Sequence, residues 1–159
     1  MPTARIRNGN TGESIVMERL IDRGFNVSNM NDTQANYPNI DIVAKKDSHV
    51  VYIQVKAKKH KEKACLCGVV VPGQPTFNKV AESTKADFLV MVRFTDFDSE
   101  VFVLPINKAE ELAIWFANKV MALGNQPVHI YPFVSNRPRK TRFDFNTREP
   151  WEPFYENWE

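Results

Sequence analysis

Three polar residues in two neighbouring apolar segments have the types and spacing of a hydrolytic metal site: Asp41, Gln54 and Lys56. Asp41 opens the segment 42–44, and the other two lie in the segment 50–58; both segments are rich in β-branched residues and a polar turn separates them, which predicts a β-hairpin. Because side chains alternate along a strand, Gln54 and Lys56 share one face. A carboxylate oxygen, an amide oxygen and a backbone carbonyl are hard ligands suited to Mg²⁺, and a neighbouring lysine can orient a nucleophile or stabilise charge on a phosphate.

This arrangement resembles the PD-(D/E)xK nuclease superfamily, and most closely its members with Gln at the second acidic position, as in Mrr-type restriction endonucleases. Asp41 falls on the first Asp of the motif, Gln54 on its Asp/Glu position and Lys56 on its Lys. Two features depart from the pattern: Pro38 is separated from Asp41 by two residues, and Gln54 removes one negative charge. The resemblance covers well under half of the chain. It implies a nuclease that uses Mg²⁺ or Mn²⁺, with the metal held by Asp41, Gln54 and the Val55 carbonyl.

A helix before the hairpin adds a second carboxylate. Asn10 or Thr11 can cap this helix, and Gly24 ends it. Glu13 lies in line with the apolar stripe of the helix, where a carboxylate costs stability unless something satisfies it. The local order resembles archaeal Holliday-junction resolvases, in which a helix Glu at this position joins the metal site, so the resemblance implies that Glu13 is a metal ligand. The alternative is an exposed first-turn acid favoured by the helix dipole.

Positive charge gathers around the same motif. Seven lysines lie between positions 45 and 63 (45, 46, 56, 58, 59, 61 and 63), against two acids. Basic side chains replace counterions along a nucleic-acid backbone, so we expect nucleic acid as the partner; the resemblance to nucleases implies DNA in preference to RNA. The residues expected to contact it are Lys58, Lys59, Lys61, His60 and Tyr37. The alternatives are a solvated basic face and a Tyr37 that packs at the rim.

The elements around the hairpin predict an α/β sandwich. A short strand is expected at 25–27 and a helix at 76–85. The continuous apolar run 88–92 is typical of a strand buried in the middle of a sheet, and 100–104 predicts a further strand. The resulting order is a restriction-endonuclease-like αβββαβ core with a mixed central sheet, the fold that the resemblance also implies.

The C-terminal third predicts a cover for this core. Residues 107–124 have the pattern of a long helix whose Trp115 and Phe116 favour core packing, with a homodimer contact as the alternative. Residues 125–159 are irregular but too aromatic for plain disorder, so we expect them to lie over the core. The whole chain, 1–159, is then one domain whose core spans residues 10–105.

Composition excludes several other classes. With 43% hydrophobic residues in a chain of 159, there is enough material for one core and little for two. No apolar run approaches the roughly 20 residues that span a bilayer and the N-terminus lacks a signal-peptide core, so we expect a cytoplasmic protein without a membrane partner. Cys65 and Cys67 lie too close for an ordinary disulfide and are too few for a zinc site unless other ligands join, so buried thiols are the favoured interpretation.

Two functions remain open. The first is a metal-dependent endonuclease. The second is a catalytically inactive nuclease fold that binds nucleic acid or another protein, which Gln54 favours because it weakens cation binding. An enzyme acting on a small phosphorylated substrate is less favoured, because the chain lacks a Gly-rich phosphate loop.

Overall fold

The computed structural model describes residues 4–32, 40–59, 69–70, 85–109, 111–112, 129–130 and 149–159. Its helix α1 spans Ala4–Ile21. The strands are β1 Asn26–Asn29, β2 Ile42–Lys46, β3 His49–Lys59, β4 Val69–Val70, β5 Phe88–Phe94, β6 Ser99–Pro105 and β7 His129–Ile130. Short 3-10 helices lie at Met30–Asp32 and Glu149–Phe154. Within these ranges no helix is both long and apolar enough to cross a membrane.

Five strands form one mixed sheet in the order β1-β2-β3-β5-β6. The first three strands are antiparallel neighbours, β3 and β5 run parallel, and β5 and β6 are antiparallel. Strands β4 and β7 pair separately. This α/β architecture with a mixed central sheet agrees with the expected fold class, and β5 is an interior strand as its apolar run predicted.

Helix α1 packs on one face of the large sheet, which we call the α1 face; the opposite face is the outer face. Ile53 and Val55 of β3 lie on the α1 face and join Val16 and Leu20 of the helix in the main apolar core. Since side chains alternate, Gln54 and Lys56 lie on the outer face. The predicted division of β3 between two faces is therefore confirmed.

The predicted hairpin is also confirmed. Strands β2 and β3 pair from Ile42 with Ile53 to Lys46 with His49. Asp47, in the turn between them, has φ 53°, a left-handed conformation that Asp tolerates better than most residues. The short turn fixes the register and so determines which β3 residues lie beside the start of β2.

The predicted start of α1 is wrong, and its predicted end is right. The helix begins at Ala4, so Asn10 and Thr11 are interior residues and not caps. Their polar groups are satisfied within the helix: the Thr11 hydroxyl donates to the Arg7 carbonyl at 3.0 Å, and the Asn10 carbonyl accepts from Ser14. At the other end Gly24 has φ 82°, and the Gly24 and Phe25 amides bond back to the last turn, as in a Schellman motif.

The long helix predicted over 107–124 is not supported. Residues 106–109 and 111–112 are helical, and the remainder of that range, with Trp115 and Phe116, lies outside the described residues. The helix predicted at 76–85 lies almost entirely outside them as well; only residue 85 is described, and it is not helical. The single-domain organisation stays a prediction.

The end of the chain covers the edge strand β6, as expected for the aromatic tail. Tyr155 forms a bridge with Phe102, and the next amide, of Glu156, donates to a β6 carbonyl at 2.9 Å. Trp158 packs against the main core, and Arg23 of the α1 end lies over its ring at 5.1 Å. Covering an edge strand in this way protects it from pairing with other chains.

We expect Trp158→Ala to lower the free energy of unfolding by roughly 1–3 kcal/mol, because it removes core contacts and a cation–π contact from a half-buried ring. Urea denaturation followed by circular dichroism measures this. The control is Phe97→Ala, which truncates a ring that is 98% exposed and should change stability by less than about 0.5 kcal/mol. Equal stability of the two variants would show that the tail does not stabilise the core.

Candidate functional site

Asp41 lies directly before β2 and is fixed by three hydrogen bonds. Its amide donates to the Ile53 carbonyl at 2.8 Å, and its own carbonyl accepts from the Met30 amide at 2.8 Å. Its Oδ2 accepts from the Val55 amide at 2.7 Å. Backbone and side chain are therefore both anchored, and the carboxylate is held against β3.

The first of these bonds explains how the carboxylate reaches β3. Ile53 is the register partner of Ile42, yet it also accepts from Asp41, so two residues of one strand oppose one residue of the other. This is the hydrogen-bond pattern of a β-bulge, which bends a strand and re-aims its side chains. The Asp41 carboxylate occupies the position where a strand carbonyl would otherwise accept the Val55 amide.

Val55 separates Gln54 from Lys56, so this bond places Asp41 at the centre of the predicted motif. The amide and the carbonyl of a strand residue point to the same side of the strand. The Val55 carbonyl therefore faces the side on which Asp41 lies. Two of the predicted oxygen donors, a carboxylate and a carbonyl, share this edge.

Gln54 is buried, with 9% of its surface exposed, on the outer face of β3. The structure gives its amide no hydrogen bond to any other described residue. Burying an unsatisfied amide costs about 1–3 kcal/mol, so such a group is expected to meet a ligand or water. Lys56 lies two residues further along the same face and is exposed. Gln54 and Lys56 therefore lie on either side of Val55, whose amide donates to Asp41.

Glu13 is buried, with 8% of its surface exposed, and lies in the middle of α1. The alternative of an exposed first-turn acid is therefore wrong. Its Oε2 accepts from Asn29 Nδ2 at 2.9 Å and its Oε1 from Asn31 Nδ2 at 3.1 Å. Asn29 ends β1, and the next residue, Met30, bonds to Asp41. Glu13 is thus at the same end of the sheet as Asp41, with both carboxylate oxygens already engaged.

Sequence reasoning did not identify the two asparagines as partners of Glu13. The Asn31 amide donates to Asn29 Oδ1 at 2.9 Å, a local turn that directs the Asn29 NH₂ group towards Glu13. A signal was present: a glutamate on a buried helix stripe needs donors, and an Asn-x-Asn sequence directly follows the neighbouring strand.

The helix reaches this position because of Gly12. A Cβ atom placed on Gly12 would lie 2.1 Å from the Ala57 Cβ on β3. Only the absence of a side chain allows such close approach of helix and strand backbones. Gly12 therefore sets the distance between α1 and β3 immediately beside Glu13.

The candidate oxygen donors suit a hard cation, although few of them carry a negative charge. Among the described residues there is no group of three or more His, Cys, Asp and Glu that could hold a metal ion. The candidate donors have a different composition: they are the Asp41 carboxylate, the Gln54 amide and the Val55 carbonyl, with Glu13 nearby. All are oxygen donors of the kind that Mg²⁺ prefers, and the buried Gln54 amide, which has no hydrogen bond to another described residue, fits such a ligand.

The predicted nucleic-acid contacts are only partly described. Lys59 forms an ion pair with Asp96. For Lys58 the structure places the backbone, in register with Arg93 of β5. Tyr37, His60 and Lys61 lie outside the described residues.

Comparison with known proteins finds a similar fold in a solved structure. No family model matches the chain, and no curated protein matches it. A solved structure does: the bacterial homing endonuclease I-Ssp6803I, with a TM-score of 0.54 and 15% sequence identity, over 99% of this chain and 90% of that chain. The chain therefore has a nuclease-like α/β fold built on a mixed five-stranded sheet.

Proposed function

We propose that this protein is a metal-dependent endonuclease of the PD-(D/E)xK kind that hydrolyses phosphodiester bonds in DNA. The observation that carries the proposal is the 2.7 Å hydrogen bond from the Val55 amide to Asp41 Oδ2. It puts the first acid of the motif beside the residue that separates Gln54 from Lys56. The likeness to an endonuclease supports the proposal independently of the motif. The cytoplasmic location expected from the sequence is part of the same proposal.

Asp41, the Gln54 amide and the Val55 carbonyl would hold Mg²⁺ or Mn²⁺. The bound ion would lower the pKa of a water and neutralise charge on the scissile phosphate. Lys56 lies on the same strand face as Gln54, where its amine orients the attacking water or stabilises the developing negative charge. Glu13 belongs to the proposed ligand set as well, oriented by its two asparagine donors.

Charge next to the site supports nucleic acid as the substrate. We assign Lys58, Lys61 and His60 to the phosphate backbone and Tyr37 to a base or sugar. Lys59 contributes less to phosphate binding, because its amine is already paired with Asp96.

The second candidate is a nuclease fold that binds nucleic acid or a protein without cleaving. The specific observation in its favour is Gln54, an amide at the position where the motif carries an acid. With one negative charge fewer the site attracts a divalent cation less strongly, and binding without catalysis requires only the basic surface.

Cleavage of labelled duplex, single-stranded, branched and RNA substrates by the purified protein separates the two candidates. We expect cleavage of DNA in Mg²⁺ or Mn²⁺ and none in EDTA, because in the proposed site the metal ion would supply the activated water. A gel-shift assay on the same substrates in EDTA is the control. A protein that shifts DNA but cleaves nothing with either metal contradicts the nuclease proposal and supports the binding module.

A further inference from the structure

The hairpin carries apolar and basic side chains on the side turned away from the core. The outer-face residues of β2 and β3 nearest the turn are Val43, Lys45, Val50 and Tyr52, which we call the hairpin face. Val43 pairs with Tyr52 and Lys45 with Val50, so the four residues are contiguous. Val50 is 43% exposed and Tyr52 is 37% exposed.

The polar ends of two of these side chains make no contacts that stabilise the described part of the fold. The structure gives the Tyr52 hydroxyl and the Lys45 amine no hydrogen bond or ion pair with other described residues. Lys46, one position along on the α1 face, is different: its amine donates to the Arg23 carbonyl at 2.7 Å and lies 5.3 Å from the centre of the Phe25 ring. The Lys46 amine therefore makes contacts that stabilise the fold, whereas the Lys45 amine makes none with other described residues.

The hairpin face is continuous with the candidate site. Tyr52 precedes Gln54 by two residues on the same side of β3, a distance of about 7 Å, and Lys56 lies about 7 Å further. Gln54 is buried, whereas Tyr52 and Lys56 on either side of it are exposed. A ligand chain lying along β3 would therefore contact the Tyr52 ring and the Lys56 amine.

We propose that the hairpin face binds an unpaired segment of the nucleic-acid substrate, with Tyr52 stacking on a base and Lys45 contacting a phosphate. The inference rests on the proposed function and adds the class of substrate. Charge favours an anionic partner over a neutral or basic protein surface, because lysines 45 and 56 lie on either side of the ring and the neighbouring Asp87 carboxylate is engaged by the Tyr52 backbone amide; the proposed function makes this anionic partner nucleic acid. The segment must be unpaired, since a base inside a duplex has no free face for an aromatic ring.

The test is binding in EDTA, where the substrate stays intact. Wild type, Tyr52→Ala and Tyr52→Phe are titrated into fluorescent flapped, single-stranded and blunt duplex DNA, with 2-aminopurine in the unpaired segment to report stacking. We expect Tyr52→Ala to weaken binding of flapped and single-stranded DNA at least about fivefold, the factor equivalent to ~1 kcal/mol for base–aromatic stacking. Tyr52→Phe should retain both the affinity and the change in 2-aminopurine fluorescence, and blunt duplex binding should change less than twofold.

Phe97→Ala is the matched control. It removes an aromatic ring that is fully exposed in the β5–β6 turn between Asp96 and Asp98, where phosphate is repelled, so affinity should be unchanged.

Equal binding of flapped DNA by wild type and Tyr52→Ala, with metal-dependent cleavage intact, overturns this inference and leaves the proposed function standing. Failure of wild type to bind any DNA overturns both. Self-association that Tyr52→Ala abolishes, with DNA binding unchanged, assigns the hairpin face to a second copy of the chain and also overturns the inference.

Discussion

Asp41→Asn is expected to lower the rate of metal-dependent DNA cleavage by at least about 100-fold while leaving the protein folded. The amide oxygen of Asn can still accept the Val55 hydrogen bond, so the anchoring of residue 41 and the bulge beside it are kept. What the substitution removes is the negative charge, on which attraction of a divalent cation depends because Gln54 contributes none. Single-turnover cleavage of a continuous duplex at saturating Mg²⁺ measures the effect, and circular dichroism checks the fold.

Asp87→Asn is the matched control for this variant. Asp87 Oδ2 accepts from the Tyr52 amide at 2.9 Å, so it also satisfies an amide of β3, but on the β5 side of that strand. The two substitutions make the same chemical change in similar hydrogen bonds. We expect a similar small loss of stability from both and a loss of rate only from Asp41→Asn. Equal rates for the two variants would remove Asp41 from the site.

Lys56, the lysine of the motif, is expected to be required together with Asp41. If Asp41 and Lys56 act on one phosphate, each alone is required and their effects do not add. The double variant Asp41→Asn/Lys56→Ala should then cleave about as slowly as the slower single variant. Multiplication of the two rate losses would indicate that the residues act independently.

The parts of the fold that follow from sequence are those in which local pattern and tertiary structure agree. Alternation along β3 gave both faces correctly because one face is buried against α1, and Gly24 ended the helix because a left-handed residue is needed there. The helix start did not follow, because Asn10 and Thr11 resemble caps but are interior residues: the Thr11 hydroxyl donates to a carbonyl one turn earlier, and the Asn10 carbonyl accepts from Ser14.

The residues of the candidate site were proposed from sequence and their roles stay predictions; the local geometry of the site could not be predicted. Alternation predicts which residues share a face, and it places Asp41 simply opposite β3. The bulge that turns its carboxylate to the Val55 amide depends on a single extra backbone bond, for which residue types give no signal. The parallel pairing of β3 with β5 joins segments far apart in the chain. The hydrophobic pattern of each segment is the same whichever strand lies beside it, so the pattern does not predict this pairing.

Gly12→Ala is expected to lower the free energy of unfolding by roughly 1–3 kcal/mol, the usual cost of overpacking. A methyl group at this position would lie 2.1 Å from the Ala57 Cβ, so α1 must move away from β3 to accommodate it. Gly9→Ala is a control on the same helix, because a Cβ there meets nothing within 4 Å. It should raise stability by about 0.5–1 kcal/mol, as alanine does in a helix interior. Urea denaturation of both variants measures the two effects.

The expected changes in the free energy of unfolding have opposite signs for Gly12→Ala and Gly9→Ala, whereas helix propensity alone predicts that both substitutions stabilise. Comparison of the two variants therefore tests the packing of α1 on β3. Stabilisation by Gly12→Ala equal to that by Gly9→Ala would contradict the close packing of α1 on β3. Activity provides a second readout, since Gly12 precedes Glu13 and any shift of the helix moves that carboxylate away from Asn29 and Asn31. Under conditions where both variants are folded, we therefore expect slower cleavage from Gly12→Ala and an unchanged rate from Gly9→Ala, which links the spacing of helix and strand to the geometry of the site.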